Sequence, residues 1–179
     1  VDFGRTTDYR ATNSYWFIGY IPQAIGFGIG KFLHLSVGIS YYLGRIFNAL
    51  AYAVLAYIAI RLSGKAKQLI MMVAFIPMNL VLAGSYNQDS VSLGLAYIIV
   101  SLFISWVSDS EKKVRNRDLI LYVIICCLLA TMKLPYVLLI GLLLFIPKSK
   151  FNGRFFYGKV ISAVLCVGAV TVFWFLLSQ

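Results

Sequence analysis

Apolar residues in this chain come in long blocks, not in alternation, and short polar stretches separate the blocks. They cover residues 37–62, 68–84, 91–107, 119–146 and 160–177. A hydrocarbon core of about 30 Å takes roughly 20 residues of α-helix, so each block approaches or exceeds one crossing. No stretch alternates as a barrel strand would, and lipid accepts only helices or closed barrels across its core. The pattern predicts an all-α protein, a polytopic transmembrane helix bundle built as one domain.

Residues 1–36 read differently, because charges, glycines and aromatics interrupt every apolar run. Pro22 suits a first helical turn, and Ile25, Ile29, Phe32 and Leu33 then share one face. This predicts a short interfacial helix within an outer loop, with Tyr15, Trp16 and Tyr20 in the aromatic belt. Gly26, Gly28 and Gly30 follow no strand and lack the GxGxxG spacing, which favours close helix packing over phosphate binding.

The fourth block carries a contradiction. Its 28 residues would make a helix about 42 Å long. Lys112, Lys113, Arg115 and Arg117 precede it, and Lys148, Lys150, Arg154 and Lys159 follow it. Basic loops stay in the cytoplasm, which places "SGKAK" and "EKKVRNR" inside and "SYNQDS" (85–90) outside with residues 1–36. A straight helix cannot return both basic flanks to one side. The simplest solution is a re-entrant half-helix hairpin, in which 119–132 rises, "KLPY" turns and 137–146 descends. Pro135 disfavours helical geometry at Leu134, and Lys133 stands at the tip. The competing solution is one tilted helix kinked at Pro135, with Lys133 snorkelling to an interface. An ammonium at the centre of a membrane costs about 2.5–3.5 kcal/mol, which makes Lys133 the first functional candidate.

Composition agrees with a membrane protein and narrows the chemistry. Hydrophobic residues make up 61% and charged residues 12% of the chain, with mean hydropathy +0.86, too apolar for a domain with a wet surface. The net charge of +10 is spread over the connectors, so it reads as an orientation signal and not as a nucleic-acid patch. Cys126, Cys127 and Cys166 sit inside apolar blocks without CxxC spacing and read as small buried hydrophobes. His34 stands alone, with no second ligand for a metal. The chain opens without methionine on the outer side, so an upstream helix is expected to carry it across.

Asp2, Asp8, Asp89, Arg45 and Lys133 converge on the outer half of this topology. Carboxylates beside cations suit an anionic substrate held by Lys and Arg while an Asp removes a proton or binds a metal. Simpler readings stand beside this one. Asp89 or Ser90 would cap the third span, Arg45 would snorkel, and Asp2 and Asp8 would lie in a solvated loop.

Four stretches in order, "YIPQAIGFGIGKFL", "YYLGRIFNALAYAVLAYIAI", "FIPMNLVLAGSYNQDSVSLGLAYI" and "MKLPYVLL", resemble a bacterial family of polytopic membrane proteins, domain of unknown function twenty-one forty-two. That family is similar to the GT-C glycosyltransferases, which take a sugar from a polyprenyl-phosphate carrier on the outer face of the plasma membrane. The resemblance implies that Asp89 and Asp8 are catalytic and that Lys133, Arg45 and Tyr136 bind the carrier phosphate. It implies a polyprenyl-phosphate-linked sugar and membrane lipids as partners and a cell-envelope acceptor. A divalent metal ion fits an acidic pair without being required, and no other cofactor is implied. The acidic motif that should follow a first transmembrane helix lies outside this chain. A lipid or small-anion transporter or flippase, or a non-catalytic scaffold, are the alternatives. Sugar, acceptor and oligomeric state have no signature here.

Overall fold

The structure, a computed structural model, describes residues 17–109, 111–151 and 156–177. Asp2, Asp8, Tyr15, Trp16 and Arg154 lie outside the described residues. The described chain is helical: α1 (Ile21–Phe32), α2 (Val37–Leu62), α3 (Lys67–Ala74), α4 (Pro77–Ala83), α5 (Asp89–Ser108), α6 (Asn116–Met132), a 3-10 helix (Leu134–Phe145) and α7 (Phe156–Leu177). Among the described residues three of these helices are long and apolar enough to cross a membrane, or four if the bent pair α3/α4 counts as one span. The protein is an all-helical membrane bundle, as the block pattern predicts.

Its packing is that of a protein dissolved in lipid. The buried face of α2 reads Ser40, Gly44, Asn48, Tyr52, Ala56 and Ala59, while Ile39, Ile46, Leu50, Val54 and Ile58 face outward. Small and polar residues recur every three or four positions on the inner side, because lipid solvates leucine as well as the core does. Only small side chains bring backbones close. α1 runs antiparallel to the first part of α2: a Cβ on Gly26 would lie 2.6 Å from the Leu43 carbonyl oxygen, and one on Gly30 would lie 2.5 Å from Ser40 Oγ. Gly28 faces open space, so two of the three glycines form the seam. The stripe Ile25, Ile29, Phe32 and Leu33 is exposed on the far side. Pairing with α2 through Gly26 and Gly30 sets the axis of this helix. His34, at φ 52°, ends it: the amides of Leu35 and His34 reach back to the carbonyls of Gly30 and Lys31.

Between α3 and α4 the axis bends by 75°. Pro77 has no N–H to continue the ladder and opens α4 instead. The carbonyls released at the break have partners, since Asn79 Nδ2 donates to Val73 O (2.8 Å) and the Tyr52 hydroxyl donates to Ala74 O (2.7 Å). Helix α5 is the most enclosed span, 67% buried over its core window against 28% for α2 and 17% for the last span. It stands at the centre, and Gly94 lets Leu55 of α2 come close.

The fourth block folds back on itself. α6 ends at Met132, Lys133 is extended (φ −150°, ψ 122°), and the 3-10 helix starts at once. The two limbs lie side by side, with the Tyr122 hydroxyl donating to Leu139 O (2.6 Å), and their far ends meet where Val114 N donates to Lys150 O (2.8 Å). Two features depart from the sequence expectation. The break is one residue, Lys133, and not the whole "KLPY" turn, because Pro135 is accommodated within the first two positions of the new helix. The returning limb is 3-10 and not α. At about 2.0 Å per residue its 12 residues cover about 24 Å, nearly matching the roughly 25 Å of the 17-residue α6. The reversal places Lys133 level with the first turn of α5.

Two outcomes follow from this packing. With native cysteines removed, Lys113→Cys and Lys148→Cys should react with an impermeant maleimide from the same side of sealed vesicles, and Ser85→Cys from the other; opposite labelling of 113 and 148 would refute the fold-back. Gly26→Leu should destabilise the protein by about 1–3 kcal/mol, measured by thermal unfolding in detergent, while Gly28→Leu stays within about 0.5 kcal/mol of wild type.

Candidate functional site

The fold-back brings Lys133 to Asp89. Lys133 Nζ lies 2.5 Å from Asp89 Oδ1, and the two side chains are 35% and 30% exposed. They come from opposite sequence contexts: Asp89 is the first residue of α5, and Lys133 is the residue that interrupts α6 and the 3-10 helix. Ser92 fixes the approach, its hydroxyl within 3.4 Å of Met132 Sδ and 3.2 Å of Gln88 O. Three residues past the tip, the Tyr136 amide donates to Lys133 O (3.1 Å), and the phenol feels the charges of both Lys133 and Asp89.

The capping reading of Asp89 and Ser90 fails. Gln88 holds the N-cap position without a side-chain cap bond, and it is Asn87 Oδ1 that accepts from Asp89 N (3.0 Å). The Ser90 hydroxyl turns instead to Asn48 Oδ1 (2.7 Å). Asp89 therefore commits its carboxylate to Lys133, at a helix start where negative charge is favoured.

Asn48 organises the floor of the site and was not singled out by sequence. Its amide Nδ2 donates to the carbonyls of Ala83 (3.2 Å), Ser85 (2.8 Å) and Asn87 (3.3 Å), which satisfies the irregular backbone leading from α4 to α5. The available signal was its type: an asparagine inside the apolar block 37–62 is expected to serve another helix. Arg45, one turn earlier, donates from Nε to Gly84 O (2.5 Å) and lies 5.7 Å from the Tyr42 ring centre. It shares the turn with Asp89 but supports its opposite end, and Lys133 and Asp89 are the predicted pair that come into contact. Gln23 Nε2 donates to Asn87 O. The buried Oε1 atoms of Gln23 and Gln88 have no donor among the described residues. Residues 37–47 of α2 continue about 16 Å past the level of Asn48, so α1 and the start of α2 wall one side of the site.

Among the described residues no group of three His, Cys, Asp or Glu side chains could hold a metal ion. Asp89 would have to leave Lys133 to join one. What the site offers directly is an exchangeable pair: an ammonium able to receive another anion, and a carboxylate able to take a proton once released.

The family model described as Predicted membrane protein (DUF2142) matches residues 3–179. No curated protein and no solved structure matches the chain.

The pair should behave as a coupled unit. Lys133→Met and Asp89→Asn should each lower stability by about 1.5–3 kcal/mol in lipid nanodiscs, and the double variant should cost less than the sum. Strict additivity of the two costs would show that the groups do not interact.

Proposed function

The chain belongs to the DUF2142 family of predicted membrane proteins, and from its Asp89 and Lys133 site we propose that it transfers a sugar from a polyprenyl-phosphate carrier to a cell-envelope acceptor. The observation that carries this reading is the direct contact of a lysine and an aspartate, 2.5 Å apart, at the end of a bundle whose surroundings are lipid. The membrane is that of a bacterial cell, and the site opens on its outer face, opposite the basic loops.

In this mechanism the ion pair is the resting state. The carrier phosphate arrives within the leaflet and competes with Asp89 for the Lys133 ammonium. Asp89, released, takes the proton of the acceptor hydroxyl. That oxygen bonds to the anomeric carbon while the bond from this carbon to the phosphate oxygen breaks, and the electron pair leaves with the lipid phosphate. Lys133 stabilises the negative charge as it grows, an interaction that is strong where water is sparse. Tyr136 lines the tip, and Arg45 acts by holding the turn at Gly84 that presents Asp89. Asp8, the second acidic candidate, remains a proposed partner of Asp89 from the outer loop.

The broken helix α3/α4 and the interrupted hairpin also suit a lipid or small-anion translocator, whose sites form at discontinuous helices. Covalent chemistry separates the two. The full-length protein in nanodiscs, given a panel of radiolabelled polyprenyl-phosphate sugars and envelope extract, should form a labelled product. Asp89→Asn and Lys133→Ala should each reduce that turnover by about 100-fold or more. Unchanged turnover in both variants would remove the pair from the mechanism, and carrier movement without product would favour translocation.

A further inference from the structure

A second feature lies at the other end of the bundle, between α6 and α7. An apolar groove of about 570 Å³ runs along the outer side of these helices, with Leu119, Ile120, Val123 and Ile124 on one wall and Ala163 and Cys166 on the other. Its mouth is polar: Asn116 and Lys159 line it, and Lys159 Nζ donates to Asn116 Oδ1 (3.0 Å) across the gap. Asn116 also borders a polar bowl of about 290 Å³ formed with Val114 and the exposed Arg115 and Arg117. Asp118 is the acidic neighbour on the same turn, so cationic groups outnumber it at the mouth.

From this anatomy we infer that the α6/α7 groove and its basic bowl bind one anionic phospholipid of the leaflet facing the basic loops. The head of such a lipid meets Arg115, Arg117 and Lys159, and one acyl chain lies in the groove. Depth fits this occupant. From Asn116 to Ile124 the groove is about 12 Å deep along α6, close to the roughly 15 Å that half of a hydrocarbon core provides. Its volume falls in the ordinary range of ligand sites, about 300–1,000 Å³. Charge fits as well, since polarity is confined to one end as in an amphiphile. A covering helix fits worse. The close seam of this protein, α1 on α2, is made by Gly26, Gly30, Ser40 and Gly44, whereas the groove is edged by the exposed Ile120 and Ile124. Branched side chains hold a second helix away and leave room for a flexible chain. The site is remote from Asp89 and Lys133 and stands independently of the sugar-transfer reading.

The test uses the full-length protein in phosphatidylcholine nanodiscs doped with phosphatidylglycerol or phosphatidylcholine carrying a diazirine on one acyl chain. Photolabelling followed by mass spectrometry should place phosphatidylglycerol adducts on 119–124 and 162–166, at least fivefold above phosphatidylcholine. Ser162→Trp, which fills the groove, should remove them. Arg115→Gln with Arg117→Gln, at exposed positions that leave the fold intact, should bring the two lipids to equal labelling. Equal labelling of wild type by both lipids would overturn the inference. So would adducts indifferent to the arginine pair, or a groove protected in proportion to protein concentration, which would mean that a second copy covers it.

Discussion

An ammonium and a carboxylate in a lipid environment are tolerable only together, and the architecture around Asp89 and Lys133 follows from that constraint. Each is expensive alone in hydrocarbon, and neither belongs to a helix interior: Asp89 opens α5, and Lys133 is the extended residue at which α6 stops. The pairing requires the chain to reverse at Lys133. The returning limb, a 3-10 helix over Leu134–Phe145, rises nearly as far as α6 with fewer residues. The bond from the Tyr122 hydroxyl to Leu139 O and the meeting of Val114 with Phe151 hold that reversal in register.

The cost of leaving backbone carbonyls unpaired in lipid explains the irregular stretches elsewhere. Breaks in α-helix release carbonyls, and at two of the breaks side chains take them. Tyr52 and Asn79 serve the bend before Pro77, and Asn48 and Arg45 serve the stretch from Ala83 to Asn87. The half-buried turn that presents Asp89 is held by these donors and by Gln23 on Asn87 O, and α1, docked through Gly26 and Gly30, packs beside it.

Much of this was legible in the sequence, and the reason is the solvent. Block lengths set by bilayer thickness located the spans over 37–62 and 91–107 closely, and the alternation of basic with neutral loops required a reversal near Lys133. The convergence of Asp89 with Lys133 followed from topology. What stayed hidden depends on tertiary fit. No local propensity marks Leu134–Phe145 as 3-10. The axis of α1 is set by Gly26 and Gly30 against Ser40 and Gly44, two small-residue motifs whose partnership cannot be read from either alone. Asn48 carried a signal, a lone amide in an apolar block, but its three carbonyl partners lie thirty-five or more residues away.

Under the proposed sugar-transfer reading, the Asp89 and Lys133 contact holds until a lipid phosphate parts it. A zero-length carbodiimide joins a carboxylate to an amine only when they touch, so coupling in native membranes followed by peptide mass spectrometry reads that contact directly. The account predicts an Asp89 to Lys133 amide cross-link that polyprenyl phosphate suppresses. Lys133 joined to a different carboxylate, or an Asp89 cross-link indifferent to the lipid phosphate, would contradict it.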